Sequence, residues 1–116
     1  MPFSIKRVYE AANPADGERV LVDRLWPRGL KKADAHLTCW MKEVAPSPRL
    51  RQWFGHEPER FADFRVRYTA ELRKNPAVGA LRELGRKKPV TLLYAARDPE
   101  VNHAVVLLSF LRRRRK

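Results

Sequence analysis

The sequence predicts an α/β fold: a small, mainly parallel sheet of about three strands packed by about four helices. Three observations carry that expectation. Apolar, β-branched stretches stand within residues 19–25, as Val20-Leu21-Val22, and over residues 90–96, as in strands buried on both faces. A block of helical patterning separates these two runs, and a long helical crossover favours parallel pairing. A final apolar helix follows the second run directly.

Residues 5–9 read as a short first strand, and Asn13, Pro14, Asp16 and Gly17 mark the turn after it. Either a hairpin or a crossover to the next strand fits that spacing. Residues 19–25 form the second strand, with Val20, Leu21 and Val22 at its centre. Trp26-Pro27-Arg28-Gly29 ends it, since proline removes a ladder donor and glycine permits reversal.

Three helix starts share one signature, a capping side chain followed by proline: Ser47-Pro48, Asn75-Pro76 and Asp98-Pro99. The first opens a short helix holding Leu50, Trp53 and Phe54; the second sets Val78, Leu81 and Leu84 on one face. Between them, residues 58–74 carry Phe61, Phe64, Tyr68 and Leu72, an apolar stripe at helical spacing. Residues 90–96 form the strongest strand. Residues 98–112 form the last helix, with Val101, Val105, Leu108 and Leu111 on one face and Val106, Leu107 and Phe110 widening it. The chain reads as one domain over residues 1–111, followed by a basic tail at 112–116.

The net charge is +12, from 25 basic and 13 acidic side chains. Setting aside the five charges of the tail leaves 20 basic residues against 13 acidic, still +7. Such a surface attracts anions, whether nucleic acid, nucleotides or acidic membranes. The single cysteine, Cys39, makes no disulfide, and no Cys/His spacing specifies a metal or a cofactor. Beside Trp40 and Met41, it reads as a small core side chain. The N-terminus lacks a signal-peptide core, and the longest aliphatic run, residues 104–108, is too short to span a bilayer. A soluble protein of a reducing cytosol, without a membrane partner, is the expectation; the sequence gives no sign of an oligomeric state.

In open parallel sheets, ligands bind beyond the carboxyl ends of the strands. One strand here ends in Asp23-Arg24 and runs into Trp26 and Arg28; the other ends at Tyr94 and reaches Arg97. Asn102 and His103 stand near the start of the last helix. Arg24, Arg28 and Arg97 would hold an anion, with Asn102 beside them and Trp26 and Tyr94 as walls. His103 is placed to move a proton near neutral pH, and Asp23 would orient an arginine or act as base. Each residue also has a plainer role: Asp23-Arg24 as an ion pair, Trp26-Pro27 as a packed turn, Asp98 as a cap, Asn102 bonding backbone groups, His103 bonding locally. His36 and His56 read as surface residues. No Walker loop, GxGxxG or Ser/His/Asp order narrows the chemistry.

At these residues the chain resembles the YeaO-like family of bacterial proteins, a branch of a larger family known as a domain of unknown function. The matching residues are Lys6-Arg7-Val8-Tyr9, Asp16-Gly17, the run from Arg19 to Gly29, Trp40, Ala45-Pro46-Ser47, Phe64-Arg65, Tyr68, Glu71-Leu72, 91–96 and Asn102-His103-Ala104. The resemblance implies a small α/β fold and no established activity. Longer relatives carry Asp-x-Arg near the second strand and Cys-His-Arg near the last helix. Asp23-Arg24 and Asn102-His103-Ala104 look like the counterparts, with Asn102 in place of the thiol and Ala104 in place of the arginine. The shared candidates are then the acid, the arginines and the histidine. Two functions follow as expectations: a site for an anionic small molecule such as a nucleotide or phosphorylated metabolite, with or without catalysis, or a weak, non-catalytic nucleic-acid-binding module using the basic surface and arginine tail.

Overall fold

A computed structural model describes residues 2–113 of the 116-residue chain. Four parallel strands form one sheet in the order β1-β4-β2-β3: β1 (Phe3–Arg7), β2 (Glu18–Leu21), β3 (Cys39–Trp40) and β4 (Val90–Tyr94). Five α-helices accompany them: α1 (Lys32–Ala35), α2 (Pro48–Phe54), α3 (Phe61–Arg73), α4 (Ala77–Lys87) and α5 (His103–Arg112).

β4 is central, and all five of its residues are buried. Ile5 of β1 and Val20 of β2 flank its Leu92. The period of two along the strands sorts their side chains to opposite faces. Val20, Val22, Val90, Leu92 and Tyr94 join the larger core with Phe54, Phe64, Tyr68, Leu81 and Leu107. Leu21 and Leu93 point the other way, to a smaller cluster with Val8, Trp26, Leu30, Leu37 and Trp40.

The first two strands are neither a hairpin nor neighbours. Both run parallel to β4, which lies between them, so their link is a crossover. The sheet has a fourth strand beyond the expected three, because β3 is two residues long and carries no readable period. The four-residue α1 was likewise too short to anticipate. β1 starts two residues before the expected strand, since Phe3 is itself buried. β2 ends at Leu21, although the Val22 amide still bonds the Leu93 carbonyl at 3.0 Å. Leu25 has left the sheet and is 59% exposed.

Caps hold at two of the three expected helix starts. Ser47 Oγ accepts from the Leu50 amide, and Asn75 Oδ1 from the Ala77 amide. The third is displaced. Asp98 closes a turn by accepting from the amides of Glu100 and Val101, while α5 begins four residues later with Asn102 as its cap. Of the expected tail, Arg112 belongs to α5 and Arg113 is its C-cap; residues 114–116 lie outside the described residues.

The amino end of the sheet is closed by a buried charge cluster. Asp16, in the 3-10 turn Pro14–Asp16, accepts from Lys6 Nζ at 2.8 Å and from Arg19 Nη1 at 2.5 Å. Burial pushes the Asp16 carboxyl up, but bonds from Lys6, the Asn13 amide and Arg19 outweigh it and hold it below its ordinary value. Arg19 also donates to the carbonyls of Ala35 and His36, so each of its three nitrogens has a partner. Gly17 is required beside this cluster. Its φ is +66°, and a Cβ there would lie 2.2 Å from the Pro89 carbonyl oxygen.

Candidate functional site

The carboxyl end of the sheet holds a cavity of about 290 Å³. Its floor is the end of β2 (Asp23), the residues after β4 (Ala95, Ala96) and the start of α5 (Asn102, His103). One wall is apolar, from Phe54 and Phe64. Arg24, Arg28, Arg51 and His56 line the rest, with Tyr9, Leu25 and the Ala45-Pro46 segment.

Arg24 is half-buried, and its position is built from a distance. Nε donates to the Pro46 carbonyl at 3.2 Å and Nη2 to the Ala45 carbonyl at 3.3 Å. That segment is in turn clamped by one face of α3 and the residues after it. Tyr68 Oη donates to the Val44 carbonyl, Glu71 accepts from the Ser47 amide and hydroxyl, and Asn75 Nδ2 donates to the Glu43 carbonyl. Burial raises the Tyr68 phenol well above its ordinary value, with the Glu71 charge adding to it, so the phenol stays a donor. Arg24 therefore bonds two carbonyls but pairs with no carboxylate among the described residues. Arg28 and Arg51 are exposed at the mouth and likewise make no ion pair with a described carboxylate.

Asp23 and His103 meet at the floor. His103 Nε2 lies 3.2 Å from Asp23 Oδ1 and 3.0 Å from the Val22 carbonyl. Only the second contact has hydrogen-bond geometry, and Asp23 Oδ1 is buried without a bonded partner. A carbonyl can only accept, so Nε2 carries a proton in its contact with Val22. Asp23 Oδ2 accepts from the Ala95 amide, which ties the ends of β2 and β4 together. Arg7 adds to this by donating to the Ala95 and Ala96 carbonyls.

Asn102 is 1% exposed, and both ends of its amide bond the backbone. Oδ1 accepts from the Val105 amide and Nδ2 donates to the Asp98 carbonyl. It lines the cavity as a helix cap already engaged on both sides.

The structure thus brings together Asp23, Arg24, Arg28, Asn102 and His103, and leaves out the other three candidates. Trp26 lies in the cluster on the opposite sheet face, edge-on to Trp40, with Nε1 donating to the Leu30 carbonyl. Tyr94 points into the main core instead of forming a wall, and burial, with the Glu10 charge, raises its phenol. Arg97 is exposed and does not line the cavity.

Sequence reasoning missed Arg51, His56 and the aromatic wall. Phe54 and Phe64 were legible as apolar helix residues, but not as cavity lining. His56 follows Gly55 in a second left-handed conformation, with φ of 59° and 52°, and that reversal turns it to the cavity. Nothing in its neighbours signals this. His36 is an exposed residue, as expected. Cys39 is half-buried against the main core, and burial raises its thiol.

No group of three or more metal-ligating side chains occurs among the described residues, and no described helix is long and apolar enough to cross a membrane. A family described as the inactive DUF488-N3 subclade matches residues 2–116. The uncharacterized protein YeaO of Escherichia coli is 48% identical over 113 residues, covering 97% of this chain and 98% of the relative. An uncharacterized protein of Mycobacterium tuberculosis is 47% identical over 107 residues, covering 92% and 91%. No solved structure matches the chain.

Proposed function

The chain belongs to the inactive DUF488-N3 subclade, and on that footing we propose that it binds an anionic small molecule in the cavity without transforming it. The observation that carries this reading is Arg24: a half-buried guanidinium at the cavity wall, fixed by two carbonyls, with no carboxylate paired to it. A partly desolvated charge without a counter-charge is costly, and an anionic ligand would compensate it. Arg28 and Arg51 supply further donors at the mouth, and Phe54 and Phe64 an apolar face. About 290 Å³ lies at the small end of ligand pockets, the size of a sugar phosphate or a nucleoside monophosphate.

Binding alone suits the floor. The family resemblance puts Asn102 in place of the broader family's thiol, and its amide is engaged by the backbone. Among the described residues, no serine, threonine, cysteine or lysine lines the cavity. His103 Nε2 serves the Val22 carbonyl, so this reading assigns His103 and Asp23 to joining β2 and α5 beneath the ligand, not to acid–base chemistry.

Calorimetric titration of ribose 5-phosphate, AMP and inorganic phosphate tests the proposal. At least one organic phosphate is expected to bind saturably, and more tightly than inorganic phosphate. Arg28→Ala is expected to weaken it about tenfold or more, the loss of one charge-assisted bond. No binding of any of the three, or binding indifferent to Arg28→Ala and Arg24→Leu, would contradict it.

A further inference from the structure

A second basic surface lies on the helical layer and shares no lining residue with the cavity. Between α3 and α5 runs an open groove lined by Arg65, Val105, Leu108, Ser109, Arg112 and Arg113. It measures about 450 Å³, and no described carboxylate lines it. None of the three arginines is ion-paired to a described carboxylate. From residue 101 to residue 116 the sequence has no aspartate or glutamate.

Helix-end electrostatics accounts for only part of this. Arg112 stands in the last turn of α5, where a cation complements the dipole, and its Nη2 donates to the Phe3 carbonyl at 3.1 Å. Arg65 belongs to a different helix, and its guanidinium sits over the Phe61 ring at 5.3 Å. That stacking presents a flat cation with its N–H groups free for an anion. Arg113 makes no side-chain bond among the described residues. Two fixed arginines and one free one thus face a single groove from two helices.

We propose that this groove binds a single-stranded nucleic acid. Its phosphates would lie on Arg65, Arg112 and Arg113, with a base against the Arg65–Phe61 stack. Charge complementarity selects a polyanion. A stacked planar cation beside a nucleotide-sized groove suits an unpaired base, which a duplex does not offer. A lipid surface fits less well. The large apolar side chains exposed on the described surface are Tyr9, Leu25 and Val66, and only Val66 belongs to α3 or α5. Membrane-surface helices bury an apolar face, and neither helix has one to spare.

The test is fluorescence anisotropy of labelled oligo(dT) and oligo(U) with the full-length protein over a salt series. Arg65→Ala/Arg113→Ala, with the tail intact, is measured beside wild type. Wild type is expected to bind at low salt, with affinity falling steeply as salt rises. The double variant is expected to lose about 1.4 from the slope of log affinity against log salt, about 0.7 per phosphate contact. Unchanged melting and an unchanged cavity response to ribose 5-phosphate would show that the variant is folded. Equal slopes for the two proteins would overturn the groove assignment. Tighter binding to a duplex of the same length would overturn the single-strand assignment. Binding to phosphatidylserine vesicles but not to oligonucleotides would overturn the proposal as a whole.

Discussion

Arg19 and Arg24 stand five residues apart at opposite ends of the same strand segment, and their surroundings differ in kind. At the amino end, Arg19 is 5% exposed and meets Asp16, which Lys6 also reaches. Every charge there has an opposite charge. At the carboxyl end, Arg24 meets two carbonyls, Asp23 accepts one amide bond, and Asp23 Oδ1 is left without an aligned donor. Both ends draw on the same residue types. The first is a closed cluster that stabilises the fold; the second has bonding capacity left over and a cavity beside it. An arginine near the end of a strand is therefore informative only once its counter-charge is known.

The largest effect should come from breaking the closed end. Asp16→Ala leaves Arg19 buried without a counter-charge, which is expected to cost about 3–5 kcal/mol in chemical denaturation. A loss below about 1 kcal/mol would mean that the cluster is not the structural element described. The same carboxylate sets a pH dependence. Its folded value lies below the ordinary 3.8, so its contribution is present above that pH and lost as the pH falls through the folded value. Wild type should lose stability on acidification below about pH 4, and Asp16→Asn should show a shallower acid limb.

Next comes the clamp that builds the open end. Tyr68→Phe leaves the Val44 carbonyl without its donor in a buried site and is expected to cost about 1–3 kcal/mol. It should also weaken ligand binding, because the segment carrying the Ala45 and Pro46 carbonyls would no longer hold Arg24 firmly. Retention of full affinity would show that Arg24 is positioned by something else. His103→Ala should be milder, about 1 kcal/mol for its bond to Val22. The smallest effect belongs to Arg24→Leu: it gives up the bonds to the Ala45 and Pro46 carbonyls but also removes a partly desolvated cation that pairs with no described carboxylate, and these offset to leave its stability within about 1 kcal/mol of wild type.

Much of the fold was legible because its signals are local. The apolar runs at 20–22 and 90–94 gave two of the parallel strands, and Ser47 capped its helix as proline-following caps do. β3 and the order of β1 and β4 were not legible, since two-residue strands have no period and strand order is a long-range property. The site was read in half. Asp23, Arg24, Arg28, Asn102 and His103 converge because strand ends and a helix start share one rim. Tyr94 and Trp26 went elsewhere because side-chain direction alternates and the turn after β2 folds onto the opposite face. Asp98 was misplaced as the cap of α5 because a turn and a helix begin with the same residue pattern. Asp16 was read only as a turn residue; its pairing with Arg19 needed the three-dimensional contact.

The most direct test of the contrast between the two ends is the unfolding free energy of wild type, Arg19→Leu and Arg24→Leu, each with and without saturating ribose 5-phosphate. Arg24→Leu is expected to match wild type without ligand, while Arg19→Leu falls several kcal/mol below it. With ligand, wild type should gain about 2.7 kcal/mol at a hundred times Kd, and Arg24→Leu should gain little. If Arg24→Leu unfolds as readily as Arg19→Leu without ligand, and responds to ligand as wild type does, Arg24 is a structural residue and the open end is no anion site.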